Sequence, residues 1–68
     1  MGSELKELKA LLSYMIKHND EHAGELKDLA EKAKSLGNAV AYDELIIGVK
    51  EMKKANERLK NALNKLKE

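Results

Sequence analysis

From Leu5 onward, the apolar positions of this chain step by three and four residues without a slip. They run Leu5, Leu8, Leu12, Met15, then Asn19 and His22, then Leu26, Leu29, Ala33 and Leu36. A two-in-seven seam of this kind lets helices pack side by side at a shallow angle. Leu11, Ile16, Ala23 and Ala30 widen the stripe. A second seam follows at the same period: Tyr42, Leu45, Val49, Met52, Asn56, Leu59, Leu63 and Leu66, broadened by Ile46, Ala55 and Ala62. Between the two stands one strong stop signal, Leu36-Gly37-Asn38, and the chain has no proline. Gly at the position after a helix end tolerates the left-handed backbone that terminates helices.

These features predict a single all-α domain over residues 1–68, an antiparallel two-helix hairpin. Helix 1 would span about 3–36, the turn 37–38 and helix 2 about 39–67. Ser3 suits an N-cap, and Glu4 and Glu7 suit the positive end of the helix dipole. Asn38 is the expected cap of helix 2, with Asp43 as its competitor; Lys60, Lys65 and Lys67 suit its negative end. Facing partners then have residue numbers that add to roughly 75–78. That register sets His22 near Met52 to Asn56, and Asn19 near Asn56 and Leu59, so the three polar seam residues share one level. A rival is a monomeric three-helix bundle with helices near 4–17, 20–36 and 40–67. In it Asn19 or Asp20 caps a new helix, and Gly24 weakens a continuous one by about 1 kcal/mol relative to Ala. The hairpin is preferred because the heptad phase passes through 18–24 unbroken, whereas an interhelix loop usually resets it.

A chain of 68 residues buries only about 60% of its unfolded surface, so a lone core is marginal. It has no Cys, which leaves no disulfide framework and no thiolate metal site. Thirteen basic and twelve acidic residues nearly cancel, giving no strong field for nucleic acid or an anionic membrane. Apolar runs such as Ala10-Leu11-Leu12 are short, which predicts no membrane span and no secretory signal, and a cytoplasmic location. Two helices cannot cover all of Leu11, Ile16, Ile46 and Ile47. An exposed apolar strip normally marks an interface, and a symmetric homodimer forming a four-helix bundle is the economical solution. A small engineered scaffold that grips another protein with the same strip is the alternative to a natural module.

His18 and His22 lie one turn apart, about 5–6 Å at Cβ. They can supply two imidazole ligands for zinc, nickel, cobalt or copper, or an axial pair near a cofactor. Glu25 extends the set to i, i+4 and i+7, and two chains together would complete a four- to six-ligand site. The alternative is a hydrogen-bonded core His22 with His18 as a solvated flank. A zinc-protease pattern is excluded, because the position after the first His, which must be Glu, is Asn19. Asn19, His22 and Asn56 read as a buried polar cluster that fixes register and partner number; the alternative is a small polar pocket, or partners that orient His22. Tyr14 and Tyr42 are too few to stack bases. Met1, Met15 and Met52 read as gap-fillers. Lys50, Lys53, Lys54, Arg58 and Lys60 form a basic flank interrupted by Glu51 and Glu57, a solvated face.

The stretch His18-Asn19-x-x-His22-Ala23-x-Glu25-Leu26, followed by Ala30-Glu31-Lys32-Ala33 and Leu36-Gly37, resembles a group of small uncharacterised helical proteins from anaerobic bacteria and archaea. Their second half carries a pattern similar to Ala55-Asn56-Glu57-x-Leu59-x-x-Ala62-Leu63. The resemblance covers roughly 11–63, departs from the group near Met15, where an aromatic residue is expected, and implies the helical fold and the importance of the polar level. It supplies no activity. There is no phosphate loop, no Cys nucleophile, and Ser13 and Ser35 are remote from the histidines. No catalytic or cofactor-binding residue is assigned. The expectation is a non-catalytic interaction or structural module that self-associates or binds a protein partner through its apolar face. The competing expectation is a small metal- or cofactor-binding carrier that uses His18 and His22.

Overall fold

The computed structural model describes residues 2–66 and consists of two helices, α1 (Gly2–Ser35) and α2 (Ala39–Lys65), packed against each other. The fold is an all-α hairpin, drawn out to 54 × 14 × 10 Å. A helix of that length follows from a rise of about 1.5 Å per residue. Met1 and Lys67, which the sequence assigns to packing and to the dipole, lie outside the described residues. α1 runs without interruption through Asn19, Asp20 and Gly24, so the three-helix arrangement is not adopted. No helix among the described residues is long and apolar enough to cross a membrane.

The turn forms because Gly37 accepts a φ of +84°, a conformation costly for any residue with a Cβ. Its N–H donates to the Lys34 carbonyl at 3.0 Å, and the Asn38 N–H donates to the Ala33 carbonyl at 2.9 Å. These two bonds make a Schellman motif, which satisfies carbonyls that the helix end would otherwise orphan. Ser35 Oγ donates to the Lys32 carbonyl. Lys34 Nζ lies 5.1 Å from the centre of the Tyr42 ring and ties the two helices across the turn. Asn38 occupies the N-cap position of α2, but its side chain makes no capping bond. Asp43, the rival cap, is inside α2, and Ser3 is inside the first turn of α1 rather than ahead of it.

The α2 seam faces α1 as its spacing predicts, with Val49 and Asn56 buried and Tyr42, Leu45, Met52, Leu59, Leu63 and Leu66 half-buried. On α1 the column Leu5, Leu12, Asn19, Leu26 and Ala33 also turns inward. The second inward column is a different one from that expected. Ile16, Ala23 and Ala30 are buried, whereas Leu8, Met15, Leu29 and Leu36 point outward. Both columns fit a seven-residue period with the first. Ala23 and Ala30 are 3% and 0% exposed; side chains this small fit between helices at a separation that would leave no room for Leu or Met.

Candidate functional site

Midway along the hairpin the apolar contact between the helices gives way to a polar cluster centred on Asn56. Its side chain is 2% exposed. Asn56 Nδ2 donates to the Ile16 carbonyl at 2.9 Å and to Asp20 Oδ1 at 2.8 Å, while Asn19 Nδ2 donates to Asn56 Oδ1 at 3.1 Å. Every donor of the buried amide is therefore used, as a polar group removed from water requires. Among the described residues no buried side-chain nitrogen or oxygen lacks a partner. The cluster joins α1 and α2 in the expected register.

His22 is not part of this cluster. Its side chain is 49% exposed, because residue 22 belongs to the outward column and Ala23 takes the buried place next to it. Asp20 stands where His22 was expected. The signal was present: Asp20 follows Asn19 directly and lies one turn after Ile16, whose carbonyl shares the same donor. An open groove beside the cluster is lined by Asp20, Asn56, Glu57 and the four lysines Lys50, Lys53, Lys54 and Lys60. Lys60 approaches Glu57 at 3.7 Å, an exposed pair that contributes little.

The histidines meet on the exposed flank of α1. His18 Nε2 and His22 Nε2 are 2.8 Å apart, and their rings are perpendicular with centres separated by 4.2 Å. The Tyr14 ring stacks on His18 at 5.6 Å and 12°. Glu25 Oε1 lies 3.4 Å from His22 Nδ1. Glu25 thus faces the other side of the imidazole from His18 and does not converge with the two Nε2 atoms. Among the described residues no group of three or more His, Asp or Glu side chains is arranged to hold a metal ion. The triad of His18, His22 and Glu25 is corrected to a pair of imidazoles with a carboxylate behind one of them.

Of the four residues expected on the outward strip, Leu11 and Ile47 are exposed and Ile46 is half-buried. Ile16 is buried against α2, because it belongs to the inward column. The outward apolar surface instead includes Leu8, Tyr14, Met15, Leu29, Leu36 and Val40.

A sequence family described as a domain of unknown function, DUF8180, matches residues 8–66. No curated protein matches the chain. No solved structure matches it either.

Proposed function

The chain belongs to that family of unknown function, and we propose that it is a non-catalytic helical module that self-associates through the outward face of α1. One observation carries the reading. Leu8, Met15, His22, Leu29 and Leu36 recur every seven residues, and each is about half exposed or more, from 49% for Leu8 to 70% for Leu36. The column is symmetric about His22: Met15 and Leu29 lie one heptad to either side, Leu8 and Leu36 two heptads. A second copy laid antiparallel would set Leu8 against Leu36 of that copy and Met15 against its Leu29. A two-fold axis through His22 makes both halves of the contact equivalent, as a closed dimer requires.

The inside of the hairpin supports the same reading. Its buried apolar side chains are Ile16, Ala23, Ala30 and Val49, a small core for a chain that must offset its backbone entropy. Leu8, Leu11, Met15 and Leu29 of α1 lie outside. Covering them with a second hairpin yields a four-helix bundle. The groove between the helices is open and rimmed by lysines; a structural or interaction role without catalysis is part of the proposal. A cytoplasmic location is part of the proposal, motivated by the short apolar runs of the sequence, and so is the lack of nucleic-acid or membrane partners, motivated by the near balance of charge. So is the reading of His18-Asn19-x-x-His22-Ala23 as a signature of small helical proteins in anaerobic bacteria and archaea, since the family match includes that stretch.

Sedimentation equilibrium at micromolar concentration tests the assembly. The expected species has twice the 7.6 kDa chain mass, and Met15→Glu combined with Leu29→Glu should reduce it to one chain that remains helical. A wild-type chain that sediments at 7.6 kDa would rule the dimer out.

A further inference from the structure

We propose that His18 and His22 chelate one divalent late-transition-metal ion, of the nickel, copper or zinc class, through their Nε2 atoms. The proposal rests on the histidine pair alone and does not require the dimer. Three features of the pair point to it. First, the two Nε2 atoms converge to 2.8 Å. Two nitrogens on one metal, bonded at about 2.0–2.1 Å with angles of roughly 90–110°, stand about 2.8–3.4 Å apart. The rings need to part by at most a few tenths of an ångström, and both are on the exposed side of α1. Second, Glu25 sits behind His22, 3.4 Å from Nδ1. A carboxylate there favours the tautomer with its proton on Nδ1 and leaves the Nε2 lone pair free, the arrangement found behind metal-binding histidines. Third, Tyr14 stacks flat on His18 and restricts the rotation of the ring that must present the second lone pair.

The exchange balances in protons. Without metal, the two Nε2 atoms share one proton; with the His22 proton on Nδ1 beside Glu25, His18 is the donor. When the ion binds, His18 takes the tautomer with its proton on Nδ1, through solvent, and the metal occupies the place of the shared proton. Two neutral imidazoles therefore bind without net proton release, and imidazole suits nickel, copper and zinc. Glu25 is a positioning residue here and not a ligand.

The experiment is calorimetric titration of the full chain, free of any purification tag, with nickel chloride at pH 7.5. One ion per histidine pair is expected. His18→Ala and His22→Ala should each weaken binding by roughly tenfold or more, because two-point attachment makes the second bond intramolecular. A chain with Lys17→His and His18→Ala keeps two histidines but spaces them five apart, on different faces of the helix; it should bind as weakly as the single variants. Absence of nickel binding by the wild type overturns the proposal. So does a loss of only about twofold in the single variants, or wild-type affinity in the respaced chain, since either means independent surface histidines. The oligomeric state, read by sedimentation on the same samples, reports separately on the dimer.

Discussion

Asn56 is a polar side chain placed where the α2 seam would otherwise carry a hydrophobic one, and its two donors and its carbonyl are all engaged. Two kinds of substitution separate its possible roles. Asn56→Ala removes the amide and leaves a cavity, so it should destabilise by roughly 1–3 kcal/mol in urea unfolding. Asn19→Leu together with Asn56→Leu removes both ends of one interaction and extends the apolar seam. That pair should raise the urea midpoint while loosening the register or changing the number of chains, read by sedimentation. A less stable double variant with an unchanged oligomeric state would mean that the cluster serves a specific polar pocket and not register. His22 belongs to a different account. A buried His22 would make His22→Ala as costly as Asn56→Ala. With its ring half exposed and bonded only to its own helix, the substitution should change hairpin stability by less than about 0.5 kcal/mol.

At the scale of elements, the two helices and the turn were legible because each rests on a signal with one structural solution. Gly37 follows the last periodic residue, and only a left-handed residue closes a Schellman turn there. The α2 seam was legible because its polar and apolar positions leave one inward face. The face of α1 was not, and the reason is physical. Its column of Leu5, Leu12, Asn19, Leu26 and Ala33 pairs equally well with the residues three ahead or four ahead. Hydrophobicity favours the first choice, which holds Leu8, Met15, Leu29 and Leu36. Close approach of the helices favours the second, which holds Ala23 and Ala30, both buried. Periodicity does not report backbone separation, so it puts His22 inside and Ile16 outside. Glycine chemistry tests the element boundaries. Gly24 lies within α1 with open space where a Cβ would stand, and Gly37 has a φ of +84°. Gly24→Ala should therefore stabilise by about 0.4–1 kcal/mol, while the same change at Gly37 should destabilise by about 1–2 kcal/mol. Thermal melts of the two variants that shift in the same direction would contradict this placement of the turn.

For the whole molecule, the consequence of that geometry is a helix whose apolar stripe extends beyond the face that α2 covers. α1 turns Leu12, Ile16, Ala23, Leu26 and Ala30 towards α2 and keeps Leu8, Leu11, Met15 and Leu29, with Leu36 just past its end, for something else. A helix whose apolar stripe is wider than one partner helix covers is expected inside an assembly and not at its surface. The symmetry of the outward column fixes the direction of the second copy, and this can be examined apart from the mass of the assembly. The chain has no Cys, so introduced thiols report without interference. Leu8 and Leu36 stand about 42 Å apart along one rod, at about 1.5 Å per residue, far beyond the separation that a disulfide bridges within one chain. Chains carrying Leu8→Cys mixed with chains carrying Leu36→Cys, under mild oxidation, should yield covalent pairs that contain one of each. Leu8→Cys alone should give few pairs, because its thiols would lie at opposite ends of an antiparallel dimer. Efficient pairing of Leu8→Cys with itself would instead show the copies side by side in the same direction. The axis through His22 would then be wrong even if the protein is dimeric.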